Sequence, residues 1–115
     1  MGAPRGSHQE LQILETSVFT DRIDKLLVSE DYRLLQLEIL ANPAIGRTIP
    51  GGGGIRKLRW CLPGKGKRGG ARIIYYWAVN RELILMLFAF RKNEQDDLTA
   101  DQLRRLRAAV EEELS

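Results

Sequence analysis

Lysine and arginine are the residue types in this chain whose spacing can do chemistry. No acidic residue falls between Glu38 and Glu82, an interval that holds Arg47, Arg56, Lys57, Arg59, Lys65, Lys67, Arg68, Arg72 and Arg81. The acids collect toward the ends, at Glu94, Asp96, Asp97, Asp101 and Glu111 to Glu113. The net charge is only +3, so the segregation matters more than the total. It creates a positive field over one part of the surface, which attracts polyanions. The same residues could also be an ordinary solvated loop.

Other chemistries find little support. Cys61 is the sole cysteine and His8 the sole histidine, which excludes an internal disulfide, a Cys/His zinc site and a Ser-His-Asp or Cys-His arrangement. Cys61 reads as a small buried residue rather than a nucleophile. The acidic residues are not expected beside the basic strands, so no metal and no cofactor is called for. Gly64-Lys65-Gly66-Lys67 lacks the spacing and the hydroxyl residue of a P-loop. Gly51 to Gly54 precede a strand-like run, so no helix N-terminus follows them to hold a phosphate.

A cationic groove has one reaction open to it without histidine or metal. RNA brings its own nucleophile, the 2′-hydroxyl; the protein need only align the attack, move protons and stabilise developing charge. Guanidinium groups can do the last of these. A lysine among other cations has its pKa lowered and can then exchange a proton near neutral pH. Tyr75, Tyr76, Trp60 and Trp77 lie among the basic residues; some could stack on bases, and at least half read as core. The residue types permit this reading without requiring it.

The elements that would position these groups follow from periodicity. Leu11, Ile13 and Thr16 permit a short strand. Thr20-Asp21 predicts a helix start, with Ile23, Leu26 and Leu27 on one face. Ser29 predicts a cap for a second helix carrying Tyr32, Leu35, Ile39 and Leu40, ended by Asn42-Pro43. Ile49 to Gly54 reads as a flexible break without regular structure. From Ile55 to Leu62 the chain alternates, with Lys57 and Arg59 on one strand face and Leu58 and Trp60 on the other. A charged, glycine-rich loop spans Pro63 to Gly70, and further strands are predicted over Ala71–Ala78 and Leu83–Phe90. In the last, Leu83, Leu85 and Leu87 should face one way and Ile84, Met86 and Phe88 the other. Thr99 and Gln102 form a capping box for a final helix with Leu103, Leu106 and Val110 along one stripe. The expected fold is α+β in the order βααβββα, an antiparallel twisted sheet with helices packed on one side. In that meander Lys57, Arg59, Arg72 and the Arg91-Lys92 pair can converge on one groove.

The runs from Ile49 to Trp60 and from Gly64 to Tyr76 strongly resemble the HigB-type, RelE-like branch of the RelE/ParE toxin superfamily. Phe90-Arg91-Lys92-Asn93-Glu94, Asp97-Leu98-Thr99, and Glu15-Thr16 with Phe19 extend the likeness over roughly residues 11 to 112. The resemblance implies the same βααβββα fold. It also implies the toxin of a type II toxin–antitoxin system, a metal-independent messenger-RNA endoribonuclease that depends on the ribosome and inhibits translation. By position, Arg72 matches the family's strand arginine that contacts the scissile phosphate, and Lys92 or Arg91 matches the basic residue closing the last strand. The resulting assignment gives the chemistry to Lys57, Arg59, Lys67, Arg72 and Lys92. It gives RNA or ribosome binding to Arg56, Lys65, Arg68 and Arg91. Several family members place a Tyr or His shortly after the last strand, but Asn93 to Leu98 carry neither. Either a lysine takes the acid/base role or the chemistry is weaker.

The implied partners are a cognate antitoxin with a helix-turn-helix or similar DNA-binding part, the ribosome and messenger RNA. No membrane is implied and the expected location is cytoplasmic. Residues 1–10 read as a disordered leader or expression remnant, and 11–115 as the toxin domain. Two alternatives stay open: a ParE-like gyrase poison on the same fold, and a non-catalytic RNA- or ribosome-binding module.

Overall fold

Most side chains of the strand Leu83–Arg91 are buried, the signature of a strand covered on both faces. The computed structural model describes residues 10–61 and 70–115. Their elements are β1 (Gln12–Glu15), α1 (Ser17–Leu26), α2 (Ser29–Ala41), β2 (Arg47–Thr48), β3 (Arg56–Trp60), β4 (Ala71–Ala78), β5 (Leu83–Arg91) and α3 (Ala100–Leu114). The strands form one sheet in the order β1-β5-β4-β3-β2. This is the α+β fold expected, with two differences in its layout.

First, the sheet is mixed. β2 to β5 form an antiparallel meander, but β1 runs parallel to β5 with Gln12 opposite Leu83 and Glu15 opposite Met86. Two helices and the meander intervene between β1 and β5, which is ample chain for a parallel return. Secondly, the helices lie on both faces. Phe19, Ile23, Leu35 and Ile39 of α1 and α2 pack with Ile73, Tyr75, Ile84 and Met86. On the opposite face α3 brings Leu103, Leu106 and Val110 onto Ile74, Leu85, Leu87 and Phe90. Two apolar faces on β4 and β5 need two covers.

The alternation along β5 also breaks. Tyr75 pairs with Met86 but Ile74 pairs with Phe88, which leaves Leu87 as an extra residue on β5. Phe88 therefore joins Leu85 and Leu87 on the α3 side, not Ile84 and Met86 as simple alternation predicts. Phe90 follows it there and pairs with Arg72.

Local capping departs from expectation at both early helices. Thr16, not Thr20, caps α1: its Oγ1 accepts from the Phe19 amide at 3.1 Å and donates to the Leu87 carbonyl at 3.1 Å. One hydroxyl thus ends β1, begins α1 and ties both to β5. Ser29 lies inside α2, whose cap residue is Val28 with no side-chain bond. The Thr99–Gln102 capping box of α3 is present as expected.

The glycine run is not without structure. Ile49 and Ile55 are joined by a backbone bond of 2.9 Å, with Gly52 donating to Ile49 inside the turn. Gly51, Gly53 and Gly54 all have positive φ, which the missing side chain permits. The turn folds β2 onto β3, a pairing that the two-residue length of β2 hides in the sequence. Cys61, expected to be buried, is exposed just beyond β3. The loop from Pro63 lies outside the described residues until Gly70, and so does most of the expected leader.

Tyr75 fastens this region to the core. Its ring is fully buried, and its hydroxyl donates to the Pro43 carbonyl at 2.8 Å while accepting from the Gly46 amide at 2.9 Å. Burial pushes the phenol pKa up, opposed by the Gly46 amide and the Arg56 charge. Tyr75→Phe strands the buried Gly46 amide and is expected to cost about 1–3 kcal/mol in urea unfolding. An unchanged denaturation midpoint would show that this hydroxyl does not hold the α2–β2 connection to the sheet.

A candidate anion-binding groove

At the end of the sheet reached by Arg72 lies an open groove. Arg47, Lys57, Arg59, Arg72, Lys92 and Asp96 line it, with Ile45 and Leu58 as apolar neighbours. The meander builds it by register. Arg47 lies directly opposite Lys57, and Arg59 directly opposite Arg72. Like charges facing each other across a ladder destabilise a sheet. Two such pairs on one patch mark a surface arranged for something other than stability.

Arg72 is the most demanding member. It is the only buried charged residue among those described, at 8% exposure. Its one hydrogen bond there is a long contact of 3.4 Å to the neighbouring Ala71 carbonyl, and it makes no ion pair among the described residues. Burial lowers its pKa, as does the Arg59 charge, while Asp97 acts the other way. A desolvated guanidinium lacking a bidentate carboxylate retains its planar fork of donors for another anion. Gly70 leaves room for it: a Cβ there would come within 3.3 Å of Arg72 Nη1.

Carboxylates enter the groove, contrary to the expectation that acids stay away from the basic strands. Lys57 Nζ donates to Asp97 Oδ1 at 2.9 Å. The bond from Lys57, together with the Leu98 amide, holds the Asp97 carboxyl below the usual carboxylate range against the effect of burial. Asp97 comes from the β5–α3 connection, forty residues along the chain, and helical or strand periodicity gives no hint that it folds back. Lys57 is consequently half of an ion pair, not a lysine surrounded only by cations.

Of the residues singled out from sequence, Lys57, Arg59, Arg72 and Lys92 come together. Two do not join them. The Arg56 guanidinium is on the Tyr75 side of the sheet, where Nη1 donates to the Gly46 carbonyl at 2.7 Å. Strand alternation puts it opposite to Lys57. Arg91 pairs with Ala71, on the α1–α2 face, and its side chain does not line the groove. Lys65, Lys67 and Arg68 lie outside the described residues. Arg47, Asp96 and Asp97 were missed. A hairpin reading of the glycine turn would have placed Arg47 beside Lys57. None of the four interleaved aromatics lines the groove; Tyr75 is core, and Trp60, Trp77 and Tyr76 pack against the two apolar clusters.

Among the described residues, no three His, Cys, Asp or Glu side chains group as metal ligands, and no helix is long and apolar enough to cross a membrane. Fold and site together define a small α+β protein with a cationic groove at one end of its sheet. Residues 47–114 match the family model of the RelE toxin of the RelE/RelB toxin–antitoxin system. The chain therefore belongs to the RelE toxin family, and as a toxin of that kind its counterpart is an antitoxin. The fold is similar to that of E. coli toxin RelE, solved in the free state as a double arginine-to-alanine mutant. That match has a TM-score of 0.60 at 15% identity, covering 84% of this chain and 98% of that one.

Arg59→Gln removes one opposed pair and is expected to raise stability by up to about 1 kcal/mol. It should also weaken binding of a non-cleavable RNA oligonucleotide and reduce the salt dependence by about one charge. An unaltered salt slope would take Arg59 out of the anion site.

Proposed function

We propose that this protein is an endoribonuclease that cuts messenger RNA on the ribosome and thereby inhibits translation. The toxin domain is residues 11–115, working in the cytoplasm under the control of a cognate antitoxin. The observation that carries the reading is Arg72, a buried guanidinium with no ion pair among the described residues, facing Arg59 across a strand pair. Such an arrangement favours a phosphate, and its family supplies the context of RNA.

In this mechanism the substrate's 2′-oxygen attacks the adjacent phosphorus in line while the bond to the 5′-oxygen breaks. The products are a 2′,3′-cyclic phosphate and a 5′-hydroxyl. The 2′-hydroxyl proton passes to solvent water during attack, and a proton is delivered to the 5′-oxygen. Arg72 and Arg59 hold the non-bridging oxygens as negative charge builds on them. Lys57 adds a fixed positive charge, and Lys92, which has no ion pair among the described residues, is the candidate donor to the leaving oxygen. Of the residues between β3 and β4 in the chain, Lys67 adds positive charge for the chemistry, and Lys65 and Arg68 add it for RNA and ribosome contact. With no histidine among the described residues that line the groove, alignment of the message by the ribosome supplies much of the rate.

Arg72→Ala is expected to lower cleavage of a message on programmed ribosomes by about 100-fold or more and to relieve growth arrest, with the fold retained by circular dichroism. Full toxicity in the folded variant would remove the groove from the mechanism. Equal cutting of naked RNA and of ribosome-bound message would defeat the ribosome requirement. Gyrase-dependent DNA breaks would instead establish a gyrase poison, and tight ribosome binding without cleavage a non-catalytic module.

A further inference from the structure

The Asp97 carboxylate sits where charge alone argues against it, bonded to a lysine of a groove whose lining holds five cations and one other carboxylate, Asp96. Stability does not explain it. Its partner side chain Lys57 is 29% exposed and its own is 58% exposed, and pairs so open to water contribute about 1 kcal/mol at most. Position explains it better. The Lys57 ammonium stands opposite Arg47 on the ladder and shares the groove with Arg59 and Arg72. A flexible four-carbon stem so surrounded would swing its charge outward into solvent.

The carboxylate that prevents this is itself held. Asp97 Oδ1 accepts from the Leu98 amide at 2.8 Å, and the Asp97 carbonyl accepts from Gln95 Nε2 at 2.8 Å. Gln95 Nε2 also donates to Gln102 Oε1, and that oxygen accepts from the Thr99 amide. The capping box of α3 thus anchors the segment that presents Asp97. At its other end the Lys92 amide is bonded to the Gly70 carbonyl. A side chain braced in this way is a strut and does not swing aside like a gate.

We infer that Asp97 is a positioning residue of the groove, which fixes the Lys57 ammonium beside Arg72 and stays on it while the phosphate is bound. This rests on the endoribonuclease reading for its kinetic consequences, but not for the contact itself. Removing the carboxylate has two effects of opposite sign. The groove becomes more positive, so message binds more tightly; the ammonium loses its place, so the bound message turns over more slowly.

Asp97→Asn preserves the shape and an acceptor for the Leu98 amide. On programmed ribosomes it is expected to lower kcat about tenfold or more while KM falls or holds. A rise in both rate and affinity would overturn the inference in favour of an autoinhibitory plug. A fall in kcat with a rise in KM, or an unchanged kcat, would also overturn it. A second measurement is independent of cleavage. Lysines are labelled by reductive 13C-methylation, and the Lys57 signal is assigned by its loss in Lys57→Arg. In the parent protein this signal should move as Asp97 takes up its proton, at a pH below the ordinary aspartate range, and in Asp97→Asn it should stay flat. The same movement in both proteins would show that Asp97 does not hold Lys57. Failure of the parent to cut any message would remove the endoribonuclease reading and leave the labelling result to decide the contact.

Discussion

The opposition of Arg59 to Arg72 is the constraint to which the rest of the structure answers. Two guanidinium groups directly across a strand pair, one of them buried, repel each other and lose hydration. A sheet can hold them only if its remaining residues are strongly committed. β4 and β5 supply that commitment: Ile73, Ile74, Tyr75, Ile84, Leu85 and Met86 are almost completely buried, and both faces are covered by helices. The cost falls at one end of the sheet and the compensation lies along its middle.

The bulge at Leu87 links these two regions. By shifting parity, it turns Phe90 to the α3 side, where it pairs with Arg72. A regular β5 would present Phe90 to the α1–α2 face and leave a smaller or different neighbour beside the guanidinium. The dielectric environment of Arg72 therefore depends on one extra residue several positions away. That dependence joins a packing detail to the electrostatics of the groove.

Much of this was legible in the sequence because it rests on local pattern. The alternation through Lys57 and Arg59, the continuous apolar run of β5 and the Thr99–Gln102 cap each specify their element without distant help. The convergence of Lys57, Arg59, Arg72 and Lys92 followed from meander geometry. What escaped depends on pairing between remote segments. Asp97 reaches Lys57 through a connection with no periodicity. Arg47 belongs to a strand of two residues, too short to alternate visibly. The parallel placement of β1 and the split of the helices between two faces are choices of topology, and single-strand patterns do not record them. Arg56 shows the reverse error, since its charge suggested the groove while its parity sent it to the Gly46 carbonyl.

The parallel partnership of β1 with β5 also has a temporal side. Gln12 must find Leu83, seventy-one positions later, and Thr16 must find the Leu87 carbonyl at the same separation. Closing so long a loop is slow compared with forming the β3–β4–β5 meander. During synthesis the first strand leaves the ribosome long before its partner exists. The β1–β5 edge of the sheet therefore stays unformed until almost the whole chain has emerged. Arg22, which bonds the Ala89 carbonyl on that same edge, can close it only then. For a protein whose kind is paired with an inhibitor, that interval is a stretch of time in which the newborn chain exposes strand backbone but has not yet become a finished toxin.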